Sequence, residues 1–247
     1  MEDALSAEAF ARDMAYLANH GYRVVPLEQA LELANGRKAI PDKLVSLTFD
    51  GGYYDAYENV FPILKRHGFP ATFLVSVPDI GKSLTVYGES IPCLGREEIL
   101  EIAEAGFEIG AYLLSGCAYH STMEDKLIGA IQDAAAAFPD LLGRQLRYVS
   151  VREGLPDKKV MQVLQEASIE AFLTKCPTKR RPHRYSIGRI QIDDDDPNIF
   201  LIKISRNYLR FKDSRIWPYL RKYKADRLAH KISDTVNARR ARITSDE

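Results

Sequence analysis

The sequence predicts an α/β fold built on a largely parallel sheet, either a barrel or an open doubly wound sheet. Six or seven short apolar runs alternate with helical patterns over about 200 residues, and turn signals separate them. No stretch approaches the ~20 consecutive apolar residues that would span a bilayer. Of the 247 residues, 46% are hydrophobic and 28% are charged, which is enough apolar content for a full core.

The first part of the chain opens with a helix, because Phe10, Met14 and Leu17 recur at spacings of four and three residues. A short strand at Y-R-V-V-P-L and a second helix at L-E-Q-A-L-E-L-A follow. The run L-V-S-L-T-F predicts a buried strand with Asp50 just past its end. A helix over residues 55–67 then leads to the strand A-T-F-L-V-S.

The second part continues the alternation. The helix R-E-E-I-L-E-I-A-E-A precedes the strand F-E-I-G, and Ser121 in S-T-M-E is typical of a capping box that opens the next helix. R-Y-V-S-V, D-K-K-V-M-Q-V-L-Q-E-A and E-A-F-L-T form a further strand-helix-strand unit, and S-I-G-R-I-Q-I and I-F-L-I-K-I-S are predicted as the last strands. The strands stop near residue 206, which predicts a barrel domain over 1–205 and a helical tail over 206–247.

The tail carries a surplus of positive charge. It holds twelve Lys and Arg against five Asp and Glu, whereas the residues before it hold 22 against 29, and it includes Trp217, Tyr219 and Tyr223. Aromatic residues among cations are typical of a segment that lies on an anionic membrane surface or docks an acidic protein partner. The alternative is a helix that packs its aromatics on the barrel. Nucleic acid is disfavoured, because no recognised nucleic-acid-binding fold accompanies the tail.

The N-terminal sequence M-E-D-A-L-S-A-E-A-F has no basic segment before an apolar one, so no signal peptide is predicted. We therefore expect a cytoplasmic protein, or a piece of a longer chain. Cys93, Cys117 and Cys176 form an odd and sparse set, which predicts reduced, packing side chains rather than disulfides.

Asp50 is the first candidate for chemistry. It follows a buried strand and precedes two glycines, and active groups of β/α barrels lie where strands end. The alternative is a turn or N-cap residue placed before glycines that adopt positive φ.

The segment L-T-F-D-G-G-Y-Y-D-A-Y-E-N-V-F-P-I-L-K-R-H-G-F-P-A-T-F-L-V resembles the first motif region of the polysaccharide deacetylases, the NodB homology domain or carbohydrate esterase family four, where T-F-D-D-G-Y is typical. The upstream G-Y-R-V-V-P-L-E-Q-A-L and the later A-G-F-E-I-G are also similar to that family, so the resemblance covers about residues 6–205. It implies a distorted barrel of seven or eight β/α units.

The family holds a divalent metal, usually zinc, with one Asp and two His, and the metal activates a water molecule against an acetamide carbonyl. The resemblance implies that Asp50 occupies the position of the catalytic base, whereas the three metal-ligand positions hold Gly51, Tyr112 and Gly116. The third motif becomes S-V-R-E-G, in which Gly154 is retained. We therefore expect no metal or other cofactor, and impaired hydrolysis.

A replacement metal site at Cys117 and His120 would need both side chains to converge on Asp50. A packed cysteine and a solvated histidine are the favoured alternative. The run D-D-D-D, residues 193–196, is predicted as a solvated turn rather than a cation site.

Tyrosines and one arginine fall on or near the loops that form the binding groove in the resembled family: Tyr53, Tyr54, Tyr112, Tyr119 and Arg152. Aromatic faces and a guanidinium suit sugar rings and their hydroxyl or acid groups. We expect Tyr53, Tyr112 and Arg152 to bind substrate, and the alternative is a groove that is filled by its own side chains.

Three functions stay open. The first is a polysaccharide deacetylase-like protein of carbohydrate metabolism, metal-free and catalytically impaired, that binds or scaffolds an N-acetylated glycan. The second is an active hydrolase of the C–N amide bonds of amino sugars with altered ligands. The third is a regulatory interaction protein that uses the basic tail.

Overall fold

The computed structural model describes residues 5–35, 41, 43–86, 88–114, 123–175, 184–193, 195–205 and 208. The chain divides into two compact units, of which one comprises Met14–Gln191 and the other comprises Met1–Asp13 with Ile192–Glu247. The predicted boundary at residue 206 stays a prediction, because only Tyr208 of the tail lies within the described residues.

Helices alternate with strands along the described chain, as the sequence predicts. The α-helices are α1 (Ala7–Asn19), α2 (Leu27–Asn35), α3 (Phe61–His67), α4 (Arg96–Glu104), α5 (Glu124–Leu142), α6 (Lys158–Glu166) and α7 (Pro197–Ile204). The strands are β1 (Arg23–Val24), β2 (Leu44–Val45), β3 (Leu47–Gly51), β4 (Ala71–Val75), β5 (Ser83–Val86), β6 (Glu89–Pro92), β7 (Glu108–Tyr112), β8 (Tyr148–Val151), β9 (Ala171–Thr174) and β10 (Ile187–Gly188).

The central sheet has six parallel strands in the order β10-β9-β8-β7-β4-β3. β1 pairs in parallel with β2, just before β3 begins, and β5 and β6 form an antiparallel hairpin. In a parallel sheet of this kind all the carboxyl ends of the strands meet at one edge. That edge holds Asp50, Tyr112, Arg152 and the residues that follow β10.

The sheet is buried on both faces, which explains why its strands are continuous apolar runs. Leu74, Tyr112, Tyr148 and Leu173 pack on one face beneath the α2 side chains Leu27 and Leu31. The opposite face carries Phe49 and Phe73, whose ring centroids are 5.3 Å apart, and the Phe73 ring meets Phe107 edge to face. The first of these faces carries the candidate site.

One predicted strand is wrong. The run I-F-L-I-K-I-S, predicted as the last strand, lies in α7. Asp196 accepts a hydrogen bond from the Asn198 backbone N–H at 2.9 Å, and Pro197 occupies the first turn, where its missing N–H costs nothing. Such a short, mostly apolar run shows neither a helical nor a strand period clearly, so the residues that flank it decided its structure.

The acidic run before α7 is more than a solvated turn. Asp193 pairs with the buried Lys203, and Asp195 accepts a hydrogen bond from the Ser6 backbone N–H at 2.9 Å. These contacts neutralise or anchor the acids within the unit formed by the two ends of the chain.

Three smaller differences concern local geometry. The predicted strand L-V-S-L-T-F divides at Ser46 into β2 and β3, and Asp50 lies inside β3 rather than beyond it. The helix predicted over 55–67 begins with a π-helical turn, Ala56–Val60. The β5–β6 hairpin was not predicted.

Two further expectations concern single side chains. Cys93 is buried and unbonded to another cysteine, as expected, whereas Cys117 and Cys176 lie outside the described residues. The predicted cap Ser121 also lies outside them. Within the described ranges, every helix is too short or too polar to cross a membrane.

Candidate functional site

Asp50 is held by an arginine that the sequence analysis did not single out. The Arg189 guanidinium donates from Nη1 to Asp50 Oδ1 at 2.6 Å and from Nη2 to Oδ2 at 2.8 Å. The same two nitrogens also donate to Thr48 Oγ1 at 3.0 Å and to Ser150 Oγ at 2.5 Å. Asp50 and Arg189 are 14% and 13% exposed, so a largely buried carboxylate is neutralised by a two-pronged ion pair.

Gly51 stands where the resemblance implies a metal-binding carboxylate. Its φ is +101°, in the region that favours glycine, and a Cβ built on it would lie 2.5 Å from Cε2 of Tyr53. The ring of Tyr53 therefore occupies the space that a side chain at position 51 would enter. Burial also raises the pKa of Tyr53, and the nearby Cys93 and Asp79 add to this effect.

Tyr112 stands at one of the implied histidine positions. It ends β7 and pairs in register with Ser150 of β8. Its side chain is 6% exposed and packs in the inner core, and burial raises its pKa to about 12. The negative charge of Asp50 raises this pKa further, whereas the positive charges of Arg152 and Arg189 lower it.

Arg152 follows β8 at the rim and is exposed. Its positive charge lowers the pKa of both Tyr53 and Tyr112. The structure thus places Asp50, Tyr53, Tyr112 and Arg152 at the same carboxyl edge of the sheet, and their roles in binding stay predictions.

The hairpin β5–β6 is tied to this rim. The Leu94 N–H donates to the Gly52 carbonyl at 2.8 Å, and the Tyr54 N–H donates to the Pro92 carbonyl at 2.9 Å. Tyr53 forms a bridge to Cys93. The chain that carries Tyr53 and Tyr54 is therefore fixed by backbone hydrogen bonds to the base of the hairpin.

The residues present do not fit the zinc site of the resembled family. Zinc takes thiolate, imidazole or carboxylate donors. Gly51 has no side chain, Tyr112 offers only a buried phenol whose pKa is raised, and Gly116, Cys117 and His120 lie outside the described residues. In the part of the chain that the structure describes, no group of three or more His, Cys, Asp or Glu could hold a metal ion.

Sequence reasoning missed Arg189, Thr48 and Ser150. Thr48 is two residues before Asp50, so strand alternation could have placed it on the same face as the acid. Arg189 lies within the predicted strand S-I-G-R-I-Q-I, where a single cation among apolar residues was the available signal.

Comparisons with known proteins agree with this architecture. The model of the family described as Polysaccharide deacetylase matches residues 37–172. The chain is 24% identical over 186 residues to the Bacillus subtilis (strain 168) protein named "Putative polysaccharide deacetylase YxkH", which covers 74% of this chain and 63% of YxkH. The chain thus spans less than two thirds of that relative. A 70-residue stretch, 28% of this chain and 10% of the relative, is 39% identical to the poly-beta-1,6-N-acetyl-D-glucosamine N-deacetylase of Escherichia coli (strain K12).

Among solved structures, IcaB from Ammonifex degensii superposes with a TM-score of 0.68 at 23% identity, covering 81% of this chain and 90% of IcaB. The Streptococcus pyogenes deacetylase PplD superposes with a TM-score of 0.63 at 19% identity, covering 76% and 82%. This likeness confirms the predicted α/β fold of the NodB barrel type. Because the family model matches more than half of the chain, the protein belongs to the polysaccharide deacetylase family.

Proposed function

We propose that this protein binds an N-acetylated glycan at the carboxyl edge of its barrel, without a metal ion and without efficient hydrolysis. The observation that carries the proposal is the Tyr53 ring lying where a carboxylate at position 51 would have to project. A ligand position that is merely empty could be refilled by water, whereas this one is occupied by the protein itself.

The charge balance around Asp50 supports the same proposal. A buried carboxylate needs a compensating charge or hydrogen bonds. Arg189 supplies both, since it contacts the two carboxylate oxygens. The charge of Asp50 is therefore compensated at this position without a metal ion.

Tyr53 and Arg152 are the side chains we assign to glycan contact. Tyr53 is half-buried and Arg152 is exposed at the rim, so a sugar ring can reach both. Tyr112 is 6% exposed, so we assign to it the floor of the groove rather than a stacking surface. The names of the relatives give the substrate class, because the Escherichia coli relative is named for N-acetylglucosamine polymer deacetylation.

The test is calorimetric titration of the protein with a β-1,6-linked N-acetylglucosamine pentasaccharide after treatment with EDTA. We expect saturable binding at one site, no release of acetate, and no stoichiometric uptake of added zinc. Arg152→Gln should weaken binding at least tenfold, whereas Arg144→Gln, which removes the Arg144 partner of Glu108, should not.

A second function is favoured by the local identity to a protein that is named as an N-deacetylase: hydrolysis of amide C–N bonds with altered ligands. Stoichiometric zinc together with acetate release would establish it and overturn our first proposal. Absence of any glycan binding would overturn both. It would leave the predicted role of residues 206–247 in docking an acidic protein or an anionic membrane, which deletion of those residues tests in a co-sedimentation assay.

A further inference from the structure

We propose that Arg189 is a positioning residue that closes the barrel at the candidate site, by joining the two outermost strands of the six-stranded sheet. In this role Asp50, which stands at the position of a catalytic base, is the residue of β3 that binds Arg189 and so links the two edges of the sheet. Asp50 and Arg189 both lie in the unit Met14–Gln191.

The order of the strands shows that the sheet must curl. β3 and β10 are the first and last strands of the sheet, with four strands between them. Strands lie ~4.8 Å apart, so in a flat sheet these two would be separated by about 24 Å. An arginine side chain cannot cross that distance. The direct contact between Asp50 of β3 and Arg189, the residue after β10, therefore requires a sheet that curls until its edges meet.

The described parts of β3 and β10 are not joined by backbone hydrogen bonds. Among the described strands, β3 pairs with β4 alone and β10 pairs with β9 alone. The short pair β1–β2 precedes β3 and provides no partner for its upper part. Between the upper part of β3 and β10, side chains thus supply the hydrogen bonds that a backbone ladder supplies elsewhere in the sheet.

The number and kind of contacts carry the third step. Four hydrogen bonds run from Nη1 and Nη2 of Arg189 to Thr48 and Asp50 on β3 and to Ser150 on β8. Charge-assisted, two-pronged pairs are strong and geometrically specific. Because both partners are largely buried, removing one leaves the other as an uncompensated charge.

Tyr112 lies beside both the Asp50–Arg189 ion pair and the candidate site. Tyr112 pairs with Ser150, and the charges of both Asp50 and Arg189 act on its phenol. Loss of the Asp50–Arg189 ion pair would therefore change the environment of Tyr112 at the floor of the groove, as well as the stability of the chain.

The experiment is a double-mutant cycle with Asp50→Asn, Arg189→Gln and the double variant, read by urea unfolding and by amide hydrogen exchange. We expect each single variant to lower the folding equilibrium constant by about 100-fold, and the double variant to fall short of the product by tenfold or more. Exchange should accelerate at least tenfold more at the β3 and β10 amides than in β7, because global unfolding alone would accelerate exchange in all strands equally.

The matched control is Arg147→Gln. Arg147 forms a similar two-pronged pair with Glu170 at 2.7 and 3.0 Å, but it lies next to β8 and its partner lies next to β9, and these strands are already joined by a backbone ladder. It should not accelerate exchange in β3 and β10 beyond the acceleration in β7. If a charge variant fails to fold, Thr48→Val and Ser150→Ala each remove one acceptor and should show smaller accelerations at the same strands.

A second readout separates positioning from general stability. The ionisation of Tyr112 can be followed by ultraviolet difference absorbance after a rapid pH jump. Asp50→Asn should lower the Tyr112 pKa and Arg189→Gln should raise it. The proposal would be overturned if the effects of Asp50→Asn and Arg189→Gln on stability were additive. It would also be overturned if exchange in β3 and β10 stayed unchanged in all the variants.

Discussion

The ring of Tyr53 lies against Gly51, so close that an added Cβ at position 51 would be 2.5 Å from Tyr53 Cε2. Gly51 also has a φ of +101°, which side-chain-bearing residues rarely adopt. Two independent constraints therefore act on the position where relatives with the T-F-D-D-G motif carry a carboxylate. A variant that restores a carboxylate at position 51 should therefore change stability first, whatever it does to activity.

We predict that Gly51→Asp lowers the free energy of unfolding by more than the ~1–3 kcal/mol expected from backbone strain alone. Gly106→Asp is the matched control, because Gly106 has a φ of +90° and nothing within 4 Å of its would-be Cβ. Urea unfolding measures both variants. Equal losses would mean that the Tyr53 ring moves aside without cost, and adding Tyr53→Ala to Gly51→Asp should recover part of the loss.

Tyr112 predicts how stability changes at high pH. Its pKa in the folded state is about 12, above the reference value of 10.0, chiefly because of burial. The protonated phenol therefore contributes stability that is present below about pH 10 and is lost as the pH rises toward 12. Tyr112→Phe should reduce the decline between these values by up to ~1.4 kcal/mol per pH unit in urea unfolding. Tyr54→Phe removes a hydroxyl from the same rim, and a decline equally reduced in that variant would contradict the assignment.

Asp13 predicts a second pH dependence at the acidic end. Its carboxylate is 2% exposed, and burial raises its pKa to about 6 even though Arg12 contacts Oδ1 at 3.0 Å. Since the reference value is 3.8, the stability from protonated Asp13 is full below about pH 4 and is lost as the pH rises toward 6. Asp13→Asn should flatten this part of the stability profile by up to ~1.4 kcal/mol per pH unit. The control is Asp133→Asn, at an exposed position on α5, which should leave the profile unchanged. If Asp13→Asn also leaves the stability profile unchanged, the predicted effect of Asp13 is wrong.

The cap of α7 tests the corrected helix. Asp196→Ala removes the acceptor of the Asn198 N–H and should destabilise α7 by about 1 kcal/mol. Faster amide exchange within Phe200–Ile202, measured by mass spectrometry, is the expected result. Asp196→Asn keeps an acceptor and should restore most of the protection. Exchange that is insensitive to both changes would argue against the helix.

Asp50 illustrates how far local sequence patterns reach. Its place at the end of a buried strand follows from the apolar run before it, and its neighbours Tyr53 and Tyr112 follow from motif positions. Its partner Arg189 lies 139 residues away, after a strand of two residues, where periodicity carries almost no information. Long-range side-chain pairs of this kind depend on the curl of the sheet rather than on any local signal.

The other misses have different causes. α7 was predicted as a strand because I-F-L-I-K-I-S is mostly apolar and holds three isoleucines, whereas Asp196-Pro197 at its start favoured a helix. The β5–β6 hairpin was overlooked because its residues are largely exposed, so no buried face produces a strong alternation. The crowding of Gly51 by Tyr53 is a tertiary feature that no motif comparison reports.

The ion pair between residues 50 and 189 has a consequence for synthesis. While the chain emerges from the ribosome, the strands up to β9 can form and stack as they appear, but the upper part of β3 keeps an open edge until Arg189 has been made. For most of translation, the segment that carries Asp50 is therefore exposed to pairing with other nascent chains. A chain stopped just before residue 189 should be prone to aggregation even though all of its described strands are present.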